Sequence, residues 1–164
     1  MNNIHASCVR LEKAGAAFGA PPKAGVLILG QSGSGKSLLA LQLIAAGAKL
    51  VADDRVELFV RKDGLAARAP GNIAGLIEVR GVGIVEIAHV RDTNVALVVK
   101  LTDATPKRLP RHGVYEPPKS LLLSRDKWPP MLALDGSDKA AVAKITLAVA
   151  AFTQNRFRDS AKGH

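Results

Sequence analysis

The chain has 164 residues, of which 48% are apolar and 23% charged, with a single cysteine. That length suggests one domain with its own core, and the composition excludes wholesale disorder, a disulfide framework and a cysteine-rich zinc module. The net charge of +9, from 23 basic and 14 acidic residues, favours anionic partners such as phosphates, nucleic acid or an acidic protein surface.

The aromatic supply is four Phe, one Trp and one Tyr. That is poor material for a base-stacking platform, so nucleic acid is disfavoured as a partner. No apolar run approaches the roughly 18 residues of a membrane span. The opening Met-Asn-Asn-Ile-His lacks a basic segment followed by an apolar one. The expectation is a cytoplasmic protein with no membrane partner. Residues 156–164, with Arg156, Arg158 and Lys162, read as a solvated basic tail after a domain spanning 1–155.

In chain order, Ile4–Leu11 alternates loosely and predicts a first strand. Residues 14–24 are rich in Gly, Ala and Pro and read as a connection. Gly25–Leu29 is a compact apolar run, predicted as a buried strand. It leads into Gly30-Gln31-Ser32-Gly33-Ser34-Gly35-Lys36-Ser37, followed by an Ala- and Leu-rich helix that ends near Gly47. Residues 48–52 predict the next strand, terminating in Asp53-Asp54. Two strands over 56–60 and 65–69 flank Lys62-Asp63-Gly64, a hairpin signal. Residues 76–87 are strand-like on both sides of Gly81 and Gly83, and 95–101 is another apolar strand. Residues 102–130 are basic, Pro-rich and irregular, with a short strand predicted over 121–123. Ser137 is the predicted N-cap of a final helix reaching Asn155, in which Val142, Ile145, Val149 and Phe152 share one face.

Gly30 to Ser37 matches G-x-x-x-x-G-K-[ST] in full, between an apolar strand and a helix. Glycines at this spacing let backbone N–H groups turn inward around phosphate oxygens, and the helix N-terminus adds partial positive charge. Lys36 then reaches the terminal phosphates and the Ser37 hydroxyl ligates Mg2+. Gly30, Gln31, Ser32, Gly33, Ser34, Gly35, Lys36 and Ser37 are thus the expected nucleotide-binding residues.

Asp53-Asp54 is the second signal. A helix of about eleven residues runs about 16 Å from the loop, and a returning parallel strand brings both carboxylates back beside it. Adjacent strand residues face opposite ways, so the two acids have different tasks. One can act as general base towards a hydroxyl, and the other can hold a metal or its waters. The third signal is Ile77-Glu78-Val79-Arg80-Gly81-Val82-Gly83-Ile84. Here Glu78, a hard oxygen ligand, and Arg80, suited to phosphate, are expected on one face of a strand. His5 and Arg108 alone read as structural or solvated, and Cys8 as a small core residue.

Together these segments resemble the catalytic domain of the HPr kinase/phosphorylase family, in a short form lacking the N-terminal domain. The residues carrying the resemblance are His5, Gly30 to Ser37, Val51-Ala52-Asp53-Asp54 and Ile77 to Ile84, over about residues 4–101. It implies an α/β, P-loop-containing fold with a partly mixed central sheet and a C-terminal helix. It implies a protein serine kinase that uses ATP and Mg2+, with pyrophosphate as an alternative donor, and acts on an HPr-like phosphocarrier protein of the phosphotransferase system. By the same resemblance Asp54 takes the serine proton, with Asp53 beside it. Glu78 joins Ser37 at the metal, and His5, Lys36 and Arg108 belong to the catalytic group. The family's assembly is a homo-hexamer. This chain departs at a G-R-N-type segment tied to the reverse reaction and to subunit contacts, where it reads Leu134-Asp135-Gly136-Ser137-Asp138-Lys139. The rival readings are a nucleotide-binding regulatory module without turnover and a P-loop kinase for a small metabolite.

Overall fold

Val26 and Ile28 pack on one side of their strand and Leu27 on the other, and all three are fully buried. A strand covered on both faces must lie inside a sheet with material on either side. The computed structural model, which describes residues 2–62 and 64–158, has this arrangement.

Nine strands form one sheet among the described residues. They are β1 (Asn3–His5), β2 (Ser7–Arg10), β3 (Ala24–Leu29), β4 (Lys49–Ala52), β5 (Arg55–Arg61), β6 (Gly64–Arg68), β9 (Asp92–Leu101), β10 (Gly113–Val114) and β11 (Pro130–Leu134). A separate two-stranded sheet pairs β7 (Leu76–Val79) with β8 (Gly83–Glu86). The two α-helices are α1 (Lys36–Ala45) and α2 (Ala141–Thr153).

The main path runs β1-β5-β6-β9-β3-β2-β4. β3 and β9 are parallel, whereas β2 lies antiparallel between β3 and β4. β9 forks along one edge. Its start pairs antiparallel with β6, and its end pairs parallel with β11. The fold is therefore α/β with a mixed, curled sheet and a C-terminal helix, as expected. The helices cover one face, where Leu39, Leu43, Ile145 and Val149 meet Val26, Ile28, Leu97 and Val99. The other face folds over Leu27, Val98, Leu58 and Leu65. Cys8 is buried there, and burial pushes its thiol well above the ordinary range.

Several expectations change. The first strand is two, β1 and β2, because the chain changes partners after Ala6: β1 pairs with β5, whereas β2 lies between β3 and β4. β4 is parallel to β3 but is not its neighbour, since β2 intervenes. Residues 121–123 form no strand; a 3-10 turn covers Lys119–Leu121. Ser137 does not cap α2, which starts at Ala141. The Ser137 N–H and hydroxyl both go to the Asp135 carboxylate, while Asp138 Oδ1 accepts the Ala140 N–H. Of the hairpin turn, Asp63 lies outside the described residues, but Arg61 and Gly64 are register partners as a tight turn requires. At the C-terminal end, Arg156 donates to the Phe18 carbonyl and Phe157 stacks with Phe152 and His112. Lys162 lies outside the described residues. No described helix is long and apolar enough to cross a membrane.

Candidate active site

The Gly30–Gly35 loop leaves the end of β3 and enters α1 directly. At Gly30 a Cβ would meet Ser34 Oγ at 2.4 Å and the Cβ atoms of Ser34 and Leu101 at 3.2 Å, so a larger residue here must displace the Ser34 side chain. Gly35 holds φ at 98°, a left-handed conformation that glycine adopts without steric penalty. No side chain caps α1, so its first N–H groups lie at an open helix N-terminus. The Lys36 ammonium donates to the carbonyls of Gly30 and Gln31, each at 2.9 Å, and folds over the loop. Burial pulls its pKa below the ordinary lysine range, opposed by the Asp53 and Asp54 carboxylates.

The two aspartates at the end of β4 sit in contrasting surroundings. Asp53 is buried and takes hydrogen bonds from three elements. Ser7 Oγ of β2 donates to Oδ1 at 2.7 Å, Ser37 Oγ of α1 at 2.8 Å, and the Glu78 N–H of β7 donates to Oδ2 at 3.3 Å. Asp54 is exposed. Its φ is 66°, and the Arg55 N–H bonds the Asp53 carbonyl at 2.7 Å across it. A three-residue turn of that hand is rare and strained in an L-residue, and such strain collects at functional sites. His5, the last residue of β1, places Nδ1 3.4 Å from Asp54 Oδ1.

These groups surround one cavity of about 780 Å3. Of the expected site residues, His5, Ser32, Gly33, Gly35, Lys36, Ser37, Asp54 and Glu78 line it. Gly30, Gln31 and Ser34 build the loop behind, and Asp53 is tied into the wall. Arg80 also lines the cavity, but it sits in the β7–β8 turn rather than on the Glu78 strand face as expected. Arg108 is not among the lining residues. It is exposed between β9 and β10, and its neighbours Lys107 and Leu109 line a second cavity. Sequence reasoning missed Ser7. The available signal was its spacing: His5 and Ser7 are two apart in extended chain, hence on one face, and both line the cavity.

Ser37, Asp53 and Glu78 offer hard oxygen donors of the kind Mg2+ takes. Among the described residues no group of three or more His, Cys, Asp and Glu is arranged to hold a metal unaided.

A family model described as the HPr Serine kinase C-terminal domain matches residues 22–116, more than half of the chain. The chain belongs to this family. Curated HPr kinase/phosphorylases share its sequence over about half of the chain. The Lactiplantibacillus plantarum protein is 39% identical over 92 residues, covering 51% of this chain and 29% of the relative. The Limosilactobacillus reuteri protein is 41% identical over 90 residues, covering 50% and 28%. The chain thus matches under a third of the length of these relatives. Among solved structures, the Hpr(Ser) kinase/phosphatase from Coxiella burnetii superposes with a TM-score of 0.66, at 23% identity, covering 94% of this chain and 90% of that one. That likeness of fold covers more of the chain than the 22–116 span does. Asp53, Asp54, Glu78 and Arg108 fall inside that span, and His5 and Ser7 precede it.

Proposed function

We propose that this HPr serine kinase domain is an ATP- and Mg2+-dependent protein serine kinase of the cytoplasm, whose acceptor is a serine of an HPr-like phosphocarrier protein of the phosphotransferase system. The observation that carries the reading is the contrast between the two aspartates. Asp53 has its oxygens engaged by Ser7, Ser37 and the Glu78 N–H, whereas Asp54 stands exposed on the same cavity with His5 beside it. A carboxylate with free lone pairs at a cavity wall is a group that can accept a proton from an incoming hydroxyl.

The remaining roles follow from position. The Gly30–Gly35 loop and the uncapped start of α1 cradle the β- and γ-phosphates through backbone N–H groups. Lys36 exchanges its two loop carbonyls for phosphate oxygens. Ser37 and Glu78 would hold Mg2+, with Asp53 orienting the Ser37 hydroxyl. When bound, that ion supplies charge neutralisation at the terminal phosphates. Asp54 orients the acceptor serine and takes its proton, and His5 fixes the Asp54 carboxylate. Arg80, which lines the cavity, can balance charge during transfer. Arg108 takes such a part only if the 102–112 segment closes over the cavity. The basic, Pro-rich stretch 102–130 is the docking surface for the acceptor.

The test is phosphoryl transfer from labelled ATP with Mg2+ to a purified HPr-like protein and to its serine-to-alanine variant, with Lys36→Ala enzyme as control. Label on the serine protein alone, lost with Lys36→Ala, is the expected result. Nucleotide binding without any label would replace the reading with a regulatory module or another acceptor. Added inorganic phosphate then tests the reverse reaction.

A further inference from the structure

Three consecutive residues address the Asp53-Asp54 pair from the first two strands. His5 Nδ1 lies 3.4 Å from Asp54 Oδ1, the Ala6 N–H donates to the Asp54 carbonyl at 3.2 Å, and Ser7 Oγ donates to Asp53 Oδ1 at 2.7 Å. The His5 contact serves the acid read above as the base. The Ser7 contact has no task in that reading. We propose that Ser7 is a positioning residue for the metal side of the site: its hydroxyl fixes the Asp53 carboxylate in the orientation that turns the Ser37 oxygen towards nucleotide-bound Mg2+. The inference rests on the phosphate-loop and Mg2+ reading of Ser37.

The argument starts from the hydroxyl of Ser37. Its one proton is shared between Asp53 Oδ1 at 2.8 Å and Oδ2 at 3.0 Å. A hydroxyl that gives its proton to a carboxylate keeps its lone pairs for a cation. Where those lone pairs point depends on how the carboxylate stands, and the terminal torsion of an aspartate is broad. Two other donors hold that torsion. The Glu78 N–H is at 3.3 Å, a long bond, and Ser7 Oγ is at 2.7 Å, a short one to an ionised acceptor. Ser7 and Asp53 are both buried, so water does not compete for this bond. The backbone fixes Ser7 in turn. β2 lies between β3, whose end starts the phosphate loop, and β4, whose end carries Asp53. Ser7 is the register partner of Ile28, two residues before Gly30, and Cys8 is that of Ala52, just before Asp53. One strand therefore ties the loop to the acid and places a hydroxyl at the join, on the kind of rigid element that holds a site precisely. The strand itself needs no hydroxyl, since Cys8 and Val9 after it are buried and apolar.

The experiment is calorimetric titration of the full chain with ATP, without acceptor protein, in EDTA and across a series of Mg2+ concentrations. It compares wild type, Ser7→Ala, Ser7→Thr, Ser7→Cys and Lys36→Ala, with melting curves checking each fold. In Ser7→Ala the Mg2+ concentration that half-maximally tightens ATP binding is expected to rise about fivefold to tenfold, the lower edge of what loss of an outer partner costs a metal site, while ATP affinity in EDTA stays within about twofold. Ser7→Thr keeps the hydroxyl and is expected to restore the wild-type Mg2+ requirement, and Ser7→Cys, a weak donor, to fall between. An unchanged Mg2+ requirement in folded Ser7→Ala, whatever its loss of stability, makes Ser7 a structural residue and overturns the proposal. Equal weakening with and without Mg2+ assigns Ser7 to support of the loop and also overturns it. If Ser7→Ala does not fold, the other two variants decide, and equal Mg2+ requirements in Ser7→Thr and Ser7→Cys overturn it. Mg2+-dependent binding by wild type that is lost in Lys36→Ala, but indifferent to residue 7, sinks only the Ser7 role. Wild-type binding that ignores Mg2+, or no binding at all, sinks the underlying reading and the Ser7 role with it.

Discussion

Ser7 Oγ donates to Asp53 Oδ1 across 2.7 Å, joining two residues 46 apart in sequence and both buried. Asp53 is the point at which β2, β4, α1 and β7 meet, because Ser37 and the Glu78 N–H reach the same carboxylate. Removing the Ser7 hydroxyl leaves a buried charge short of a donor. Hydrogen bonds to charged groups contribute about 1.5–3 kcal/mol, and a stranded partner loses that much. Ser7→Ala is expected to lower unfolding stability by that amount in urea titration, with Ser7→Thr restoring part of it. A change below about 0.5 kcal/mol would mean that Asp53 is held by Ser37 and Glu78 alone.

Asp54 and Asp53 should separate cleanly by substitution. Asn tolerates the left-handed backbone that Asp54 adopts, so Asp54→Asn keeps the strained turn while removing the basic oxygen. Phosphoryl transfer is expected to fall by about 10²–10⁴, the usual contribution of a general base, with ATP affinity near wild type. Asp53→Asn instead disturbs the Ser7 and Ser37 hydroxyls, both of which need an acceptor. It is expected to weaken Mg2+-dependent ATP binding and to lower thermal stability. Equal transfer rates in wild type and Asp54→Asn would remove Asp54 from the role of base.

The Gly30–Ser34 approach permits a double-mutant test. Ser34 Oγ is buried without a hydrogen-bond partner and sits where a Gly30 Cβ would go. Gly30→Ala is expected to cost about 1–3 kcal/mol through overpacking. Ser34→Ala removes an unsatisfied hydroxyl and is expected to be neutral or stabilising. Ser34→Gly in the Gly30→Ala background should recover part of the loss, giving a coupling of about 0.5–3 kcal/mol. Strict additivity of the two changes in urea titration would contradict the contact.

What the sequence made legible is what is contiguous in it. β3, the loop and α1 follow one another within 24–45, and their glycines and apolar runs speak through short-range sterics. Asp53-Asp54 is visible as a pair, but which acid is buried depends on Ser7 and Glu78, partners remote in sequence whose hydrogen bonds no local pattern encodes. β11 was missed because Pro129-Pro130 signals a break. Pro130 stands at the first strand position, where its missing N–H costs little. Ser137 has the residue type of a cap, but Asp135 claims its hydroxyl and its N–H. The placement of Arg80 turned on whether two glycines bend a strand or end it. They end it, as a hairpin turn.

His112 yields a prediction about pH. Its ring packs edge-on to Phe152 at 5.4 Å between centroids and tilted against Phe157 at 5.5 Å. Burial holds its pKa below the ordinary 6.5. A histidine that resists protonation in the fold is protonated more readily in the unfolded chain, so the unfolded state binds more protons as the solution acidifies. The stability of the fold therefore has its full His112 contribution above pH 6.5. It loses that contribution progressively as the pH falls below 6.5 towards the folded value. Urea midpoints for wild type are expected to decline from pH 7.5 to pH 5. His112→Phe keeps the aromatic cluster without a titrating group and is expected to show a shallower decline over the same interval. Parallel pH profiles for the two proteins would show that other groups carry the acid sensitivity and that His112 takes up its proton as easily folded as unfolded.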